Sequence, residues 1–195
     1  MNFNLKSGKM LIILMLMVVA RNVYAAHPNE PIKSTLQTGD VVANVEIRDS
    51  KDAPVMLPGF GEQYLLLFYS DPEVPKRNSY FIEQMKTERF NDRENFLSYG
   101  IVNLKDARFY PNNLVRMGIR REERKYEDQQ VKIYTDPSHI VKSAWNLGEV
   151  DNEFAVIFLD KSGEVLFYQA EELSNREADN LIRLIYKTLG EDMLE

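Results

Sequence analysis

Residues 65–76 read LLLFYSDPEVPK, and Tyr64 precedes them. Tyr64–Tyr69 is an unbroken apolar run of six, short for a helix and suited to a strand covered on both faces of a sheet. Ser70-Asp71-Pro72 ends it. A helix is expected from about Pro75 to Phe90, with proline at its first position and Tyr80, Phe81, Ile82 and Met85 on its apolar side. Strand, tight loop and helix in that order put the loop at the C-terminal end of a central strand.

The flanking sequence extends the pattern in both directions. Val41–Arg48, VVANVEIR, alternates well enough to read as a strand, and Val55-Met56-Leu57 as its short return after the turn cluster at 49–52. Downstream, Phe96–Leu104 holds a second strand and Pro111–Asp128 a charged helix. Val131–Tyr134 is a short strand, and Ile140–Trp145 a short helix behind the turn Asp136-Pro137-Ser138. Phe154–Leu159, FAVIFL, is the second strongly apolar strand, and Asp160–Gly163 turns it back into Glu164–Tyr168 as a hairpin. Ser174–Leu189 closes the chain as a helix, with Ser174 and Glu177 spaced as a capping box. Alternating strands and helices ending in a hairpin predict an α/β fold, a mixed sheet flanked by helices with an N-terminal β-hairpin.

The first residues read differently. Lys6 and Lys9 precede Met10–Ala20, an apolar run of 11 residues, well short of the roughly 20 that span a bilayer. Val23-Tyr24-Ala25 has the small residues of a cleavage site. Residues 1–25 are therefore expected to be a secretory signal peptide cut after Ala25, residues 26–40 a polar leader that becomes ordered near Leu36, and 41–190 one domain. The expected location is the periplasm, with no membrane span after cleavage. Lys6, Lys9 and Arg21 carry three positive charges with no acid beside them, so their removal takes the net charge from −6 to −9. Such a domain repels phosphate backbones, so nucleic acid is not an expected partner. The chain contains no cysteine, which excludes thiol–disulfide exchange and thiol peroxidase chemistry, since both need a thiolate.

Leu65–Lys76 can be laid without gaps on the active-site strand and loop of thioredoxins. Tyr134–Leu184 resembles the second half of exported TlpA-type thiol-disulfide oxidoreductases and of peroxiredoxins. The resemblance is closer still to the YtfJ family, small exported thioredoxin-like proteins without an established function. Ala144-Trp145-Asn146-Leu147 and Leu159-Asp160-Lys161-Ser162-Gly163-Glu164-Val165 carry it, within a match over about residues 40–190. It implies a thioredoxin-like fold in which Glu73 and Lys76 stand where the redox cysteines would be. Pro75 is kept, and the proline that faces the disulfide is missing at Glu153 and Phe154.

The candidate binding residues are Asp71, Glu73, Pro75, Lys76, Arg77 and Asp136. Glu73, Lys76 and Arg77 at a helix start offer a small polar pocket for a ligand or peptide. Asp71 and Asp136 each precede proline at the ends of two strands expected to be neighbours. With Glu73 they would make an acidic cluster for a hard cation, unless they only turn the chain. His27 and His139 are the two histidines, too few for a transition-metal site, and Ser138-His139 lacks a nucleophile elbow. No metal or other cofactor is expected, and no catalytic residue is assigned. Arg116, Arg120 and Arg124 fall at i, i+4 and i+8, a stripe able to dock an acidic partner or to pair with the interleaved acids. Trp145, Phe68, Phe158 and Tyr168 are expected in the core or half-buried, and Tyr69 and Tyr110 beside the loop. The reading that unites these features is an exported, redox-inactive module that binds a protein or peptide over the 71–78 loop. The alternatives are a carboxylate-based enzyme or small-ligand binder on the same loop, and an envelope-stress protein that uses the arginine stripe.

Expression in a bacterial host is expected to yield a mature chain that begins at Ala26. Intact-mass analysis checks this, and a product that keeps residues 1–25 overturns the cleavage assignment.

Overall fold

Phe154–Leu159 forms a strand in which all six side chains are buried, five of them with no exposure. A strand buried on both faces needs cover on both sides, and the rest of the chain supplies it. The computed structural model describes residues 35–74, 76–107 and 110–191. The expected signal segment, leader residues 26–34, His27 and Pro75 lie outside the described residues. The described residues fall within one compact unit.

The strands are β1 (Glu46–Arg48), β2 (Pro54–Met56), β3 (Tyr64–Ser70), β4 (Phe96–Asn103), β5 (Ile133–Asp136), β6 (Phe154–Leu159) and β7 (Val165–Gln169). The helices are α1 (Ser79–Glu88), α2 (Asn112–Lys125), α3 (Ile140–Ala144) and α4 (Asn175–Leu189). They build a seven-stranded sheet in the order β2-β1-β5-β4-β3-β6-β7. β3, β4 and β5 are parallel. β6 runs antiparallel to β3, β7 antiparallel to β6, and β1 antiparallel to both β2 and β5. The expected mixed sheet with an N-terminal hairpin is the sheet observed.

Side-chain alternation splits the apolar residues between two cores. Leu65, Leu67, Tyr69 and Ile101 face Val141 and Trp145. Leu66, Phe96, Val156 and Phe158 face α1 and α4, through Phe81, Met85, Leu181 and Ile185. Trp145 fills the first core, and its indole N–H donates to the Ala43 carbonyl at 2.9 Å. Tyr69 does not line the loop as expected. Its position in β3 points it inward with Leu65 and Leu67, and it is fully buried. Tyr110 is exposed.

Three boundaries differ from the sequence reading for identifiable reasons. The helix expected from Pro75 starts at Ser79, because Asn78 adopts the left-handed conformation (φ 57°) and breaks it there. Glu73, Lys76 and Arg77 therefore belong to a loop, not to a helical first turn. The strand expected over 41–48 divides its pairing between two places. The backbone of 39–42 bonds with Gly163 and Val165 at the start of β7, and only Glu46–Arg48 joins the hairpin. β3 and β5, expected to be neighbours, are separated by β4.

The final helix follows its sequence signal. The Ser174 hydroxyl accepts from the Glu177 amide at 3.3 Å, the Glu177 carboxylate accepts from the Ser174 amide at 2.8 Å, and Gly190 ends the helix at φ 72°. Ser174→Ala is expected to lower unfolding stability by about 1 kcal/mol in urea titration, the ordinary cost of a lost N-cap.

Candidate functional site

The C-terminal ends of β3, β4 and β5 carry polar residues that the fold buries. Asp71, Asn103 and Asp136 are each no more than 1% exposed. A buried carboxylate is costly unless its oxygens are bonded, and each of these finds partners in its own surroundings.

Asp71 follows β3. One carboxylate oxygen accepts from the Glu73 amide at 3.0 Å and the other from the Asn152 amide at 3.3 Å. Its own amide donates to the Glu153 carbonyl at 3.2 Å. One side chain thus ties the loop after β3 to the loop before β6. Burial pushes its pKa above the usual carboxylate range. The two amide bonds work against that push, and the charges of Glu73 and Asp151 add to it.

Asn78 pins the other end of the same loop. Its side chain donates to the Phe154 carbonyl at 3.2 Å and accepts from the Leu173 amide at 2.8 Å. Arg77 forms an ion pair with Glu153. Between these pins the chain turns twice, and Glu73, Val74, Lys76 and Arg77 line an open depression of about 470 Å³ with Glu172 on its far side. Three loop residues named from the sequence, Glu73, Lys76 and Arg77, line this depression, and Asp71 anchors the start of the loop beneath it. Pro75 lies outside the described residues.

Asp136 is not part of that group. Its oxygens accept from the amides of Ile140 (2.8 Å) and Val141 (2.9 Å), the first turn of α3, and the Tyr69 hydroxyl donates to it at 3.3 Å. It caps a helix on a strand that β4 separates from Asp71. The acidic cluster considered from the sequence is therefore not assembled. Among the described residues no group of three or more His, Asp or Glu side chains is placed to hold a metal ion.

The arginine stripe turns partly inward. Arg116 pairs with Asp52, and Arg120 donates to the Ser50 carbonyl at 2.7 Å, so both grip the turn of the β1–β2 hairpin. Glu123 reinforces the clamp by accepting from the Ser50 hydroxyl at 2.9 Å and the Ile133 amide at 3.2 Å. Arg124 is exposed.

Sequence reading missed Asn78 and a second polar group. Asp106 accepts from the Asn103 amide side chain at 2.6 Å and lies 2.8 Å from His139 Nε2, which fastens the segment after β4 to the start of α3. Nothing in the spacing of residues 103, 106 and 139 announces this contact. Asn78 had one available signal, an asparagine just ahead of the apolar face of a helix, where a left-handed residue is tolerated.

For Asp106, burial acts to raise the pKa, but the bonds from Asn103 and His139 and the charges of His139 and Lys142 outweigh it, and the net direction is down. A depressed folded-state value adds stability above the ordinary carboxylate pKa, and that stability is lost as pH falls through the folded value. Asp106→Asn is therefore expected to be less stable than wild type at pH 7, with the difference closing below about pH 4. Urea unfolding at a series of pH values checks this, and a gap that persists in acid overturns it.

Known structures share this frame. The chain is similar to a Chlorobium tepidum protein assigned as a thiol:disulfide interchange protein DsbE (TM-score 0.55, 16% identity, 80% of this chain and 100% of that one). It is also similar to the thioredoxin domain of a thiol-disulfide oxidoreductase from Bacteroides vulgatus (0.51, 17%, 77% and 99%). A third likeness is to a thiol peroxidase from Chromobacterium violaceum (0.55, 9%, 80% and 90%). At these identities they establish a thioredoxin-like fold, here without any cysteine. An uncharacterized protein of Haemophilus influenzae is 30% identical over 108 residues, 55% of this chain and 56% of that protein, so the match spans about half the length of that relative. The sequence profile of the YtfJ_HI0045 family matches residues 71–188, from the buried Asp71 to the last turn of α4. The chain belongs to this family, bacterial proteins of unknown function.

Proposed function

We propose that this protein is an exported, redox-inactive thioredoxin-like module that binds a protein or peptide partner in the periplasm through the 71–78 loop. The observation that carries this reading is the state of the loop. It is fastened at both ends by buried side chains, Asp71 and Asn78, while Glu73, Val74, Lys76 and Arg77 line an open depression. A loop held in shape before contact loses less conformational entropy on binding. The export half of the proposal rests on the sequence of residues 1–25.

A carboxylate-based enzyme is the second reading. The raised pKa of Asp71 favours it, but both of that residue's oxygens already hold backbone amides. Recognition accounts for the loop with fewer requirements.

The experiment is partner capture with the exported protein, wild type beside Glu73→Ala/Lys76→Ala. These two positions leave Asp71, Arg77 and Asn78, the pins of the loop, in place. The variant is expected to melt like wild type and to lose most of the captured partner. Equal capture by both proteins overturns the loop as the binding surface.

A further inference from the structure

A second cavity lies away from the loop depression and shares no lining residue with it. It is a cleft of about 600 Å³ between α1 and α2, over the face of β3, β4 and β5. Ile82 and Met85 line its α1 side, and Val115 and Ile119 its α2 side. Its size is that of a small-molecule site.

A glycine forms the middle of its floor. Gly100 sits inside β4, where the register sets Phe68 of β3 on one side of it and Ile133 of β5 on the other. Those two positions stand about 10 Å apart, two strand spacings. Phe68 does not lean across to cover the gap. It packs the other way, on Phe81 and Phe154, with ring centroids 6.0 and 5.9 Å away. A Cβ at Gly100 would touch only Ile133, at 3.6 Å, and the backbone there is not left-handed. Neither turn geometry nor close packing therefore calls for glycine, which weakens a strand interior. The Gly100 amide already donates to the Lys132 carbonyl at 3.1 Å. What remains is a flat, hydrogen-bonded stretch of backbone between two apolar walls, and glycine inside a strand is a mark of close approach by a ligand.

The facing helix is anchored from outside the cleft. Among the described residues of α2, Ile119 alone is buried. Arg116 and Arg120 tie the helix to the turn of the β1–β2 hairpin. Gly118 lines the cleft as well, and a Cβ there would meet nothing within 4 Å, although alanine would suit the helix better.

The rim offers a ligand no net charge. Lys86, Arg89 and Lys132 stand around it with Asp71, Asp92 and Glu122. Lys86 is paired with Glu83, Arg89 with Asp92, and Glu122 faces Lys125 at 3.8 Å. Lys132 is exposed, and next to it the Glu123 carboxylate accepts from the Ile133 amide. The polar side chains Ser98 and Asn91 bond to each other, the hydroxyl donating to the amide oxygen at 2.9 Å. A charged occupant would have to compete with these pairs, and an uncharged one would not. A planar occupant also matches the bare floor, and the half-buried Phe68 ring beside it offers an aromatic contact.

We infer that the cleft binds an uncharged aromatic small molecule, one ring lying flat on the Gly100 backbone between Phe68 and Ile133 and the rest running between α1 and α2. This site stands or falls independently of the reading given for the 71–78 loop.

N-phenylnaphthylamine, an uncharged fluorescent compound of this class, is the probe, titrated into the purified protein and its variants. Wild type is expected to bind it saturably at one per chain, and about tenfold or more tightly than anilinonaphthalenesulfonate, the same skeleton bearing a negative charge. Naphthol is expected to displace the probe, and its saturated form, decahydronaphthol, to do so about tenfold or more weakly. Gly118→Leu fills the cleft with a better helix former, so it is expected to melt no lower than wild type and to bind about tenfold or more weakly. If Gly118→Leu melts early, Gly100→Val, which suits a strand, fills the floor instead and decides the same question. Leu114 and Met117 are exposed apolar residues of the same helix that do not line the cleft. Leu114→Gln/Met117→Gln is therefore expected to bind as wild type does, and loss of binding there would place the probe on the surface and overturn the proposal. Absence of saturable binding by wild type, unchanged binding in a folded filled variant, tighter binding of the sulfonate, or equal displacement by the saturated form overturns it too.

Discussion

Phe154–Leu159 has no side chain left in water, and the rest of the molecule is arranged around that constraint. Hydrophobic burial at roughly 25 cal/mol per Å² makes a double-sided apolar strand strongly favourable only at the centre of a layered sheet. One face must be met by α1 and α4, the other by Trp145, Val141 and the segment that enters at Leu36. β3, with Leu65, Leu66 and Leu67 all fully buried, satisfies the same condition beside it. With these two strands fixed in the middle, their ends fall together, and the loops after β3 and before β6 are brought into contact. Asp71 can bridge them because the core has already set their spacing.

Much of this was legible in the chain because it rests on local pattern. FAVIFL, YLLLFY and the Ser174–Glu177 cap each act over a few residues, and each appears where its pattern places it. What was hidden depends on contacts far apart in sequence. That β4 comes between β3 and β5 is a matter of topology, and it separates Asp71 from Asp136 although both sit in Asp-Pro pairs. Arg116 and Arg120 read as a surface stripe, because the 3.6-residue period shows which residues share a face but not what that face meets. Here it meets the hairpin turn at Ser50–Asp52. Asn78 delays the start of α1 by four residues from the position the proline suggests, and its bonds to residues 154 and 173 are contained in no local pattern.

The candidate loop is held in place without any covalent cross-link. In a chain with a disulfide, a covalent bond would help to define this loop. Here Asp71, Asn78 and the Arg77–Glu153 pair hold it by hydrogen bonding and charge, each group buried or half-buried. Such interactions hold the loop in one conformation but cannot change oxidation state. The surface they present therefore does not change with the redox state of the surroundings.

The two borders of the sheet have a consequence of their own. β2 is three residues long and begins with Pro54, which has no N–H to offer. At the opposite border, Val165, the first residue of β7, and Gly163 just before it are already bonded to the backbone of 39–42. Among the described residues, neither border presents a long row of free donors and acceptors to which a second chain could add a strand. In a crowded compartment this guards against edge-to-edge polymerisation. Because the guard is built from a proline and a folded-back segment, it does not depend on cysteine pairing or on the redox state of the surroundings.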